Sequence, residues 1–219
     1  MSEISNAVPP YHTVLFDMDG TLLDLAFDSY IWMQLVPQLW AEQNHKTLTQ
    51  AKEKLYQLYL NHQGTLNWYS SLFWQQQLNI DVLALQHEHQ QRIAARPYCF
   101  ELLKHLKAQG VACWLVTNAD EKTLQLKLDT IPIAEYFDVM VSSETLGYPK
   151  EDQRFWQHLQ HQHPFTPEHC TLVDDNYDVL ASGKKFGIAH LISIAQPDSK
   201  QRRQAQTTDY PHLDRLTDL

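Results

Sequence analysis

The stretch Val14-Leu15-Phe16-Asp17-Met18-Asp19-Gly20-Thr21 constrains the chain more than any other. Its apolar start reads as a short strand buried on both faces. It delivers two carboxylates, Asp17 and Asp19, to the strand's C-terminal end, where open α/β sheets place their ligands. Side chains alternate along an extended strand, which puts Asp17 and Asp19 on one side and Met18 on the other. Gly20 supplies a tight turn in which backbone N–H groups can approach an anion. Taken alone, the pattern is also compatible with a loop carrying two solvated acids. Three later stretches argue against that.

The chain is 219 residues long, enough for one α/β domain or a core with a smaller insertion. With 43% hydrophobic residues it can pack a core. The net charge of −9, without a basic cluster, argues against a groove for a nucleic-acid polymer. An acidic chain can still bind a phosphorylated molecule through a metal ion or a buried lysine. The odd number of cysteines (Cys99, Cys113, Cys170) disfavours a complete disulfide framework, and Cys113 and Cys170 read as buried thiols. The N-terminal MSEISNAVPPYH lacks a signal pattern and no apolar run reaches membrane-spanning length, so no membrane partner and a cytoplasmic location are expected.

From about Asp24 to Arg96 the sequence shows helix-spaced apolar residues and no buried-strand run. Leu25 to Leu35 predicts a helix that Pro37 should end or kink. Ala51 to Tyr59, Trp68 to Gln76 (with Thr65 or Asn67 as N-cap) and Val82 to Ile93 predict three more. Strand and helix then alternate: strands at 111–116, 139–141, 170–173 and 188–194, helices after Pro97, Asp120, Phe155 and Asn176. The expected architecture is a Rossmann-like parallel α/β sheet of five strands, formed by residues 1–25 and 96–219. Residues 26–95 form an inserted helical cap. The polar tail from Gln196, with Lys200, Arg202 and Arg203, should wrap the core surface.

Four strand-end segments carry polar groups: Asp17/Asp19, Thr117/Asn118, the loop holding Lys150, and Asp174/Asp175. In order and spacing they resemble the four motifs of the haloacid dehalogenase-like (HAD) phosphohydrolases. The resemblance implies Asp17 as the nucleophile that forms an acyl phosphate, and Asp19 as general acid and base. It implies Thr117, Asn118 and Lys150 as phosphate-binding groups, with Thr117 and Lys150 also catalytic. It implies Mg²⁺ as cofactor, held by the Asp17 carboxylate, the Asp19 carbonyl and Asp175, with Asp174 direct or through water. One position departs from the pattern: Val179 stands where many members carry an acid or amide, with Asp178 one residue early and Asn176 nearby.

The resemblance extends further, through DMDGTLLDLAFD, TLNWY, GYPKEDQRFW and the pair FGI then QPDS, to a bacterial subgroup of GMP/IMP 5′-nucleotidases. It implies a small phosphorylated substrate, a purine mononucleotide, with Asn67, Trp68 and Tyr69 as candidate cap contacts. Composition and spacing stop earlier, at a phosphatase with a helical cap, for which a sugar phosphate or phosphoglycolate is the alternative. Asp19 favours phosphomonoester hydrolysis over dehalogenation, because an expelled halide needs no proton. A non-enzymatic phosphoacceptor module shares strand-end acids and a lysine but lacks the insertion at 26–95. His158, His161, His163 and His169 read as a solvated helix end rather than a zinc site, for want of suitably spaced partners. His87 and His89 read likewise. Trp68, Tyr69, Phe73 and Trp74 could stack on a base, but most suit the cap core. The oligomeric state is not encoded in any of these features.

Overall fold

The computed structural model describes residues 12–201 and 210–219. The expectations for residues 1–11 and for Arg202 and Arg203 lie outside the described residues. β1 (Thr13–Phe16) sits centrally, flanked by β2 (Ala112–Thr117) and β4 (Cys170–Val173), with β3 (Val139–Ser142), β5 (His190–Ile194) and β6 (His212–Leu213) outside them. The order is β3-β2-β1-β4-β5-β6 and every pairing is parallel. Phe16 lies opposite Val173 and Leu115, so β1 and β4 end level and β2 runs only two residues further, to Thr117. The groups that follow them therefore meet along one edge.

Strand alternation divides the core. Val14, Phe16 and Met18 join one buried cluster, and Leu15 joins the other with Val116, Phe155, Trp156 and Leu172. The first cluster does not stop at the sheet. It continues through Phe27, Ile31, Leu55, Trp74 and Val82 into the helices between β1 and β2, so the inserted segment packs as an extension of one sheet face.

Those helices are α1 (Ala26–Tyr30), α2 (Val36–Gln43), α3 (Leu48–Leu60), α4 (Leu66–Tyr69), α5 (Ser71–Leu78) and α6 (Val82–Glu88). Two local expectations are corrected. Pro37 does not end the first helix: a π-turn at Ile31–Leu35 joins α1 to α2, and Pro37 falls in the first turn of α2. The wider turn absorbs the residue that cannot donate a backbone hydrogen bond. The helix predicted from Trp68 is split at Ser70, whose extended backbone ends α4 and whose Oγ caps α5 by accepting the Phe73 N–H at 3.2 Å.

The core helices α7 (Cys99–Ala108), α8 (Glu121–Thr130), α9 (Ser143–Leu146), α10 (Gln153–Gln162) and α11 (Tyr177–Phe186) cover the sheet. The tail does more than wrap the surface, since His212–Leu213 adds a sixth strand beside β5. The preceding loop reaches the two chain crossings between sheet and insertion. Pro197 O accepts the Leu25 N–H (3.1 Å), the Ser199 N–H donates to Asp24 Oδ1 (3.0 Å), and Arg96 donates to Gln196 O.

All three cysteines are free and buried, and burial pushes their thiols up, to about 12 for Cys99 and Cys113 and about 11 for Cys170. They are inert packing groups. His158, His161 and His169 are exposed, as a solvated helix end requires, and His163 is half-buried, edge-on to Trp114. No helix among the described residues is long and apolar enough to cross a membrane.

Candidate active site

The strand ends bring together most of the groups expected from the sequence. Lys150, in the loop between α9 and α10, is buried at 1% exposure. Its Nζ donates to Asp17 Oδ1 (2.6 Å), Asp174 Oδ2 (2.7 Å) and Val116 O (3.1 Å). All three ammonium protons are thus spoken for. Its backbone is fixed as well: the Lys150 N–H donates to Asn118 Oδ1 (2.9 Å), and its carbonyl accepts from Trp156 Nε1 (2.9 Å). Burial alone would lower the lysine's pKa, but Asp17 and Asp174 more than offset it and hold the ammonium above the ordinary lysine range.

Asp17 shows the opposite balance. Burial pushes its carboxyl up to about 7; Lys150 pulls it down, and Asp174 and Asp19 push it up again. Asp174 is 1% exposed and also accepts the Asn176 N–H through Oδ1 at 2.8 Å, so both its oxygens are engaged. Thr117 Oγ1 accepts the Ala119 N–H (3.0 Å), which leaves the hydroxyl proton for an anion. Asn118 spends its amide on scaffolding, donating to Glu151 Oε2 at 3.0 Å.

Asp17, Asp174 and Asp175 each offer a carboxylate oxygen, all within 4.8 Å of one another. The turn at Gly20 closes tightly on this cluster. Its φ is +86°, and a Cβ there would fall 2.7 Å from Asp175 Cγ and Oδ2. Only glycine lets the chain come this near. The surrounding cavity also contains Asp19 and Asp28, so five carboxylates face two ammonium groups. Hard oxygen donors with surplus negative charge fit a divalent cation of the Mg²⁺ type.

The cavity, about 460 Å³, runs from these acids under the insertion to Trp32, Met33, Tyr59, Gln63 and Trp68. Trp68 is both wall and core: it lines the cavity and packs edge-on against Tyr59 and Trp74 at 5.6 and 6.3 Å. Tyr69 lines the cavity too, and its hydroxyl donates to Glu151 Oε1 at 2.5 Å, joining insertion to core. Asn67 lies elsewhere, exposed on α4 and absent from the cavity wall. The exposed amide that does reach the cavity is Gln63. Val179, at the position that departs from the motif, is a buried apolar part of the wall beside Asn176.

Several groups in or beside the cavity were not foreseen. Lys127 of α8 is buried against Asp19 (2.7 Å) and Asp28 (2.8 Å). Asp120 accepts the Ser71 N–H of the insertion at 2.6 Å, and Thr123 donates to Gln86 at 3.1 Å. Lys127 follows Thr123 and Leu124 at helical spacing, a weak sign of a shared face, and Asp28 carried another weak sign, lying in the quoted string DMDGTLLDLAFD.

Comparison with known proteins agrees with this geometry. The sequence matches the family described as haloacid dehalogenase-like hydrolase over residues 14–192. It is 38% identical over 206 residues to the GMP/IMP nucleotidase YrfG of Escherichia coli (strain K12), covering 92% of this chain and 93% of that protein. Among solved structures, a HAD phosphatase from Thermococcus onnurineus superposes with a TM-score of 0.76 at 20% identity, covering 93% of this chain and 94% of the other. The putative HAD-hydrolase YfnB from Bacillus subtilis, bound to magnesium, superposes at 0.65 with 21% identity, covering 95% and 96%. The chain belongs to the haloacid dehalogenase-like hydrolase family, as a phosphoric monoester hydrolase.

Proposed function

We propose that the chain is a Mg²⁺-dependent 5′-nucleotidase for the purine mononucleotides GMP and IMP, working through an aspartyl phosphate. The observation that carries this reading is the 38% identity to a GMP/IMP nucleotidase along nearly the whole of both chains, insertion included. The cavity supports it, with a charged end suited to phosphate and an aromatic end suited to a base.

Asp17 Oδ attacks phosphorus in line while the bond from phosphorus to the ribose 5′ oxygen breaks. Asp19 gives its proton to that oxygen, and the nucleoside leaves. Asp19 then takes a proton from a water, whose oxygen attacks phosphorus; the bond to Asp17 breaks and phosphate departs. Protonation help of this kind is worth ~10²–10⁴-fold. Thr117 holds phosphate oxygens, and Lys150 neutralises the nucleophile and phosphate together. Asp17, Asp175 and the Asp19 carbonyl would hold Mg²⁺, with Asp174, already bound to Lys150, supporting it from behind. The cation supplies positive charge that lets two anions meet and offsets charge developing on phosphorus.

Asp175→Ala is therefore expected to raise the Mg²⁺ concentration for half-maximal activity more than Asp174→Ala does. The latter should instead lower the melting temperature, because it removes a partner of buried Lys150. A metal titration with the reverse ranking would assign the direct ligand to Asp174.

Phosphate release from a nucleotide panel tests the substrate. A six-oxo purine presents an acceptor at O6 beside a donor at N1, and adenine reverses that pair, so a site built for one leaves polar groups unpaired with the other. GMP and IMP should be hydrolysed well above AMP, CMP and UMP. Trp68→Ala should lose more activity on nucleotides than on a small artificial ester. Equal rates on all five nucleotides would overturn the nucleotidase reading and leave the phosphatase standing.

A further inference from the structure

The reaction outlined above does not use the second buried lysine of the cavity. Lys127 is 1% exposed, a costly place for an ammonium. An α8 lysine could as easily face water. Its Nζ lies 2.7 Å from Asp19 Oδ1 and 2.8 and 2.9 Å from the two oxygens of Asp28. The three groups come from separate parts of the chain: the turn after β1, the first helix of the insertion, and the helix after β2. The two contacts also differ in kind. Both Asp28 oxygens accept hydrogen bonds from Lys127. Asp19 Oδ1 is held at ion-pair distance, yet it is buried and accepts no well-aligned hydrogen bond. Its charge is anchored through this buried oxygen, while the side chain keeps 20% exposure in the cavity, where the rest of the carboxyl can exchange a proton.

We propose that Lys127, itself anchored by Asp28, is a positioning residue that holds the Asp19 carboxyl in place for both of its proton transfers. The inference rests on the reading of Asp19 as general acid and base. Because Asp28 belongs to the insertion, the support is complete only when the insertion is seated over the sheet edge. Purely structural ion pairing would tie insertion to core just as well, so the test must read proton transfer itself.

Two esters separate these roles. A nucleoside 5′-monophosphate expels an alkoxide that must be protonated; 4-nitrophenyl phosphate expels an anion that leaves unaided. In both cases the phosphoenzyme is hydrolysed with Asp19 as base. Lys127→Met is expected to lower kcat on GMP by about 10²–10³-fold, within the range of general acid–base help, with little change in KM. With 4-nitrophenyl phosphate and rapid mixing, it should release nitrophenolate in a burst approaching one per active site, followed by a slow steady state. The same burst is expected of Asp19→Asn, and the double variant should be no slower than Asp19→Asn alone. Asp28→Asn keeps shape at the anchor and should show the same pattern with a smaller loss. It carries the test if Lys127→Met fails to fold.

Wild-type kcat in Lys127→Met would overturn the proposal. So would a burst that falls in step with the steady state, or losses that multiply in the double variant. If the wild-type protein ignores nucleotides, the substrate reading fails, and the 4-nitrophenyl phosphate burst still decides the role of Lys127.

Discussion

Asp17→Asn is expected to reduce turnover by ~10⁴-fold or more while leaving the fold intact. An amide of the same shape can still accept from Lys150 through its oxygen, so the hydrogen bond at that position survives. What it cannot do is attack phosphorus. The substitution also removes a charge that the folded protein tolerates poorly, as burial pushes Asp17 up to about 7. A carboxyl whose folded pKa lies above its unfolded value favours folding fully below the unfolded value, and loses that contribution as pH rises through the folded one. Metal-free wild-type protein should therefore lose melting temperature between pH 5 and pH 8 more steeply than Asp17→Asn. Substantial turnover by the purified variant, with contaminating phosphatase excluded, would remove Asp17 from the nucleophile's role.

Lys150→Met should come next in effect, on stability as well as rate. Its three donated hydrogen bonds hold two buried carboxylates and the end of β2. Removing one partner of a buried ion pair typically costs about 3–5 kcal/mol, because the other charge is left uncompensated. Here two acids are left facing each other, and a proton is their nearest substitute for the ammonium. The melting deficit relative to wild type should accordingly widen as pH rises from 5 to 8, and activity should fall by ~10³-fold or more. A variant that melts with wild type at pH 8 and keeps a tenth of its activity would show that Lys150 is dispensable.

The sheet and the polar groups gathered at its edge were legible because the relevant signals are local. Val14-Leu15-Phe16 and Cys170-Thr171-Leu172-Val173 are short apolar runs ending in acids, and runs of that kind become central parallel strands. Lys127 was not legible. Its helical spacing from Thr123 and Leu124 places it toward a buried face, but the acids that make burial tolerable come from a turn and a helix about a hundred residues earlier. The pairing of Tyr69 with Glu151 is hidden for the same reason, spanning 82 positions. The sixth strand escaped because two residues, His212 and Leu213, carry no periodicity. Asn67 illustrates the reverse hazard. A polar side chain beside two aromatics looks like a base reader in sequence, but the rotation of a single short helix decides which residues meet the cavity.

The loop before β6 bears on the order in which the protein can be completed during synthesis. It touches the chain at Asp24 and Leu25, where the insertion begins, and at Arg96, where it ends. The insertion's short helices are held by packing on one another and on one sheet face, so they can settle once β2 and α8 have emerged. This loop leaves the ribosome after both crossings. Until it arrives, both crossings lack these ties, and the insertion is attached to the sheet without its final alignment. Loss of these loop contacts would then be felt first in how the insertion sits, before it reached the carboxylates beneath.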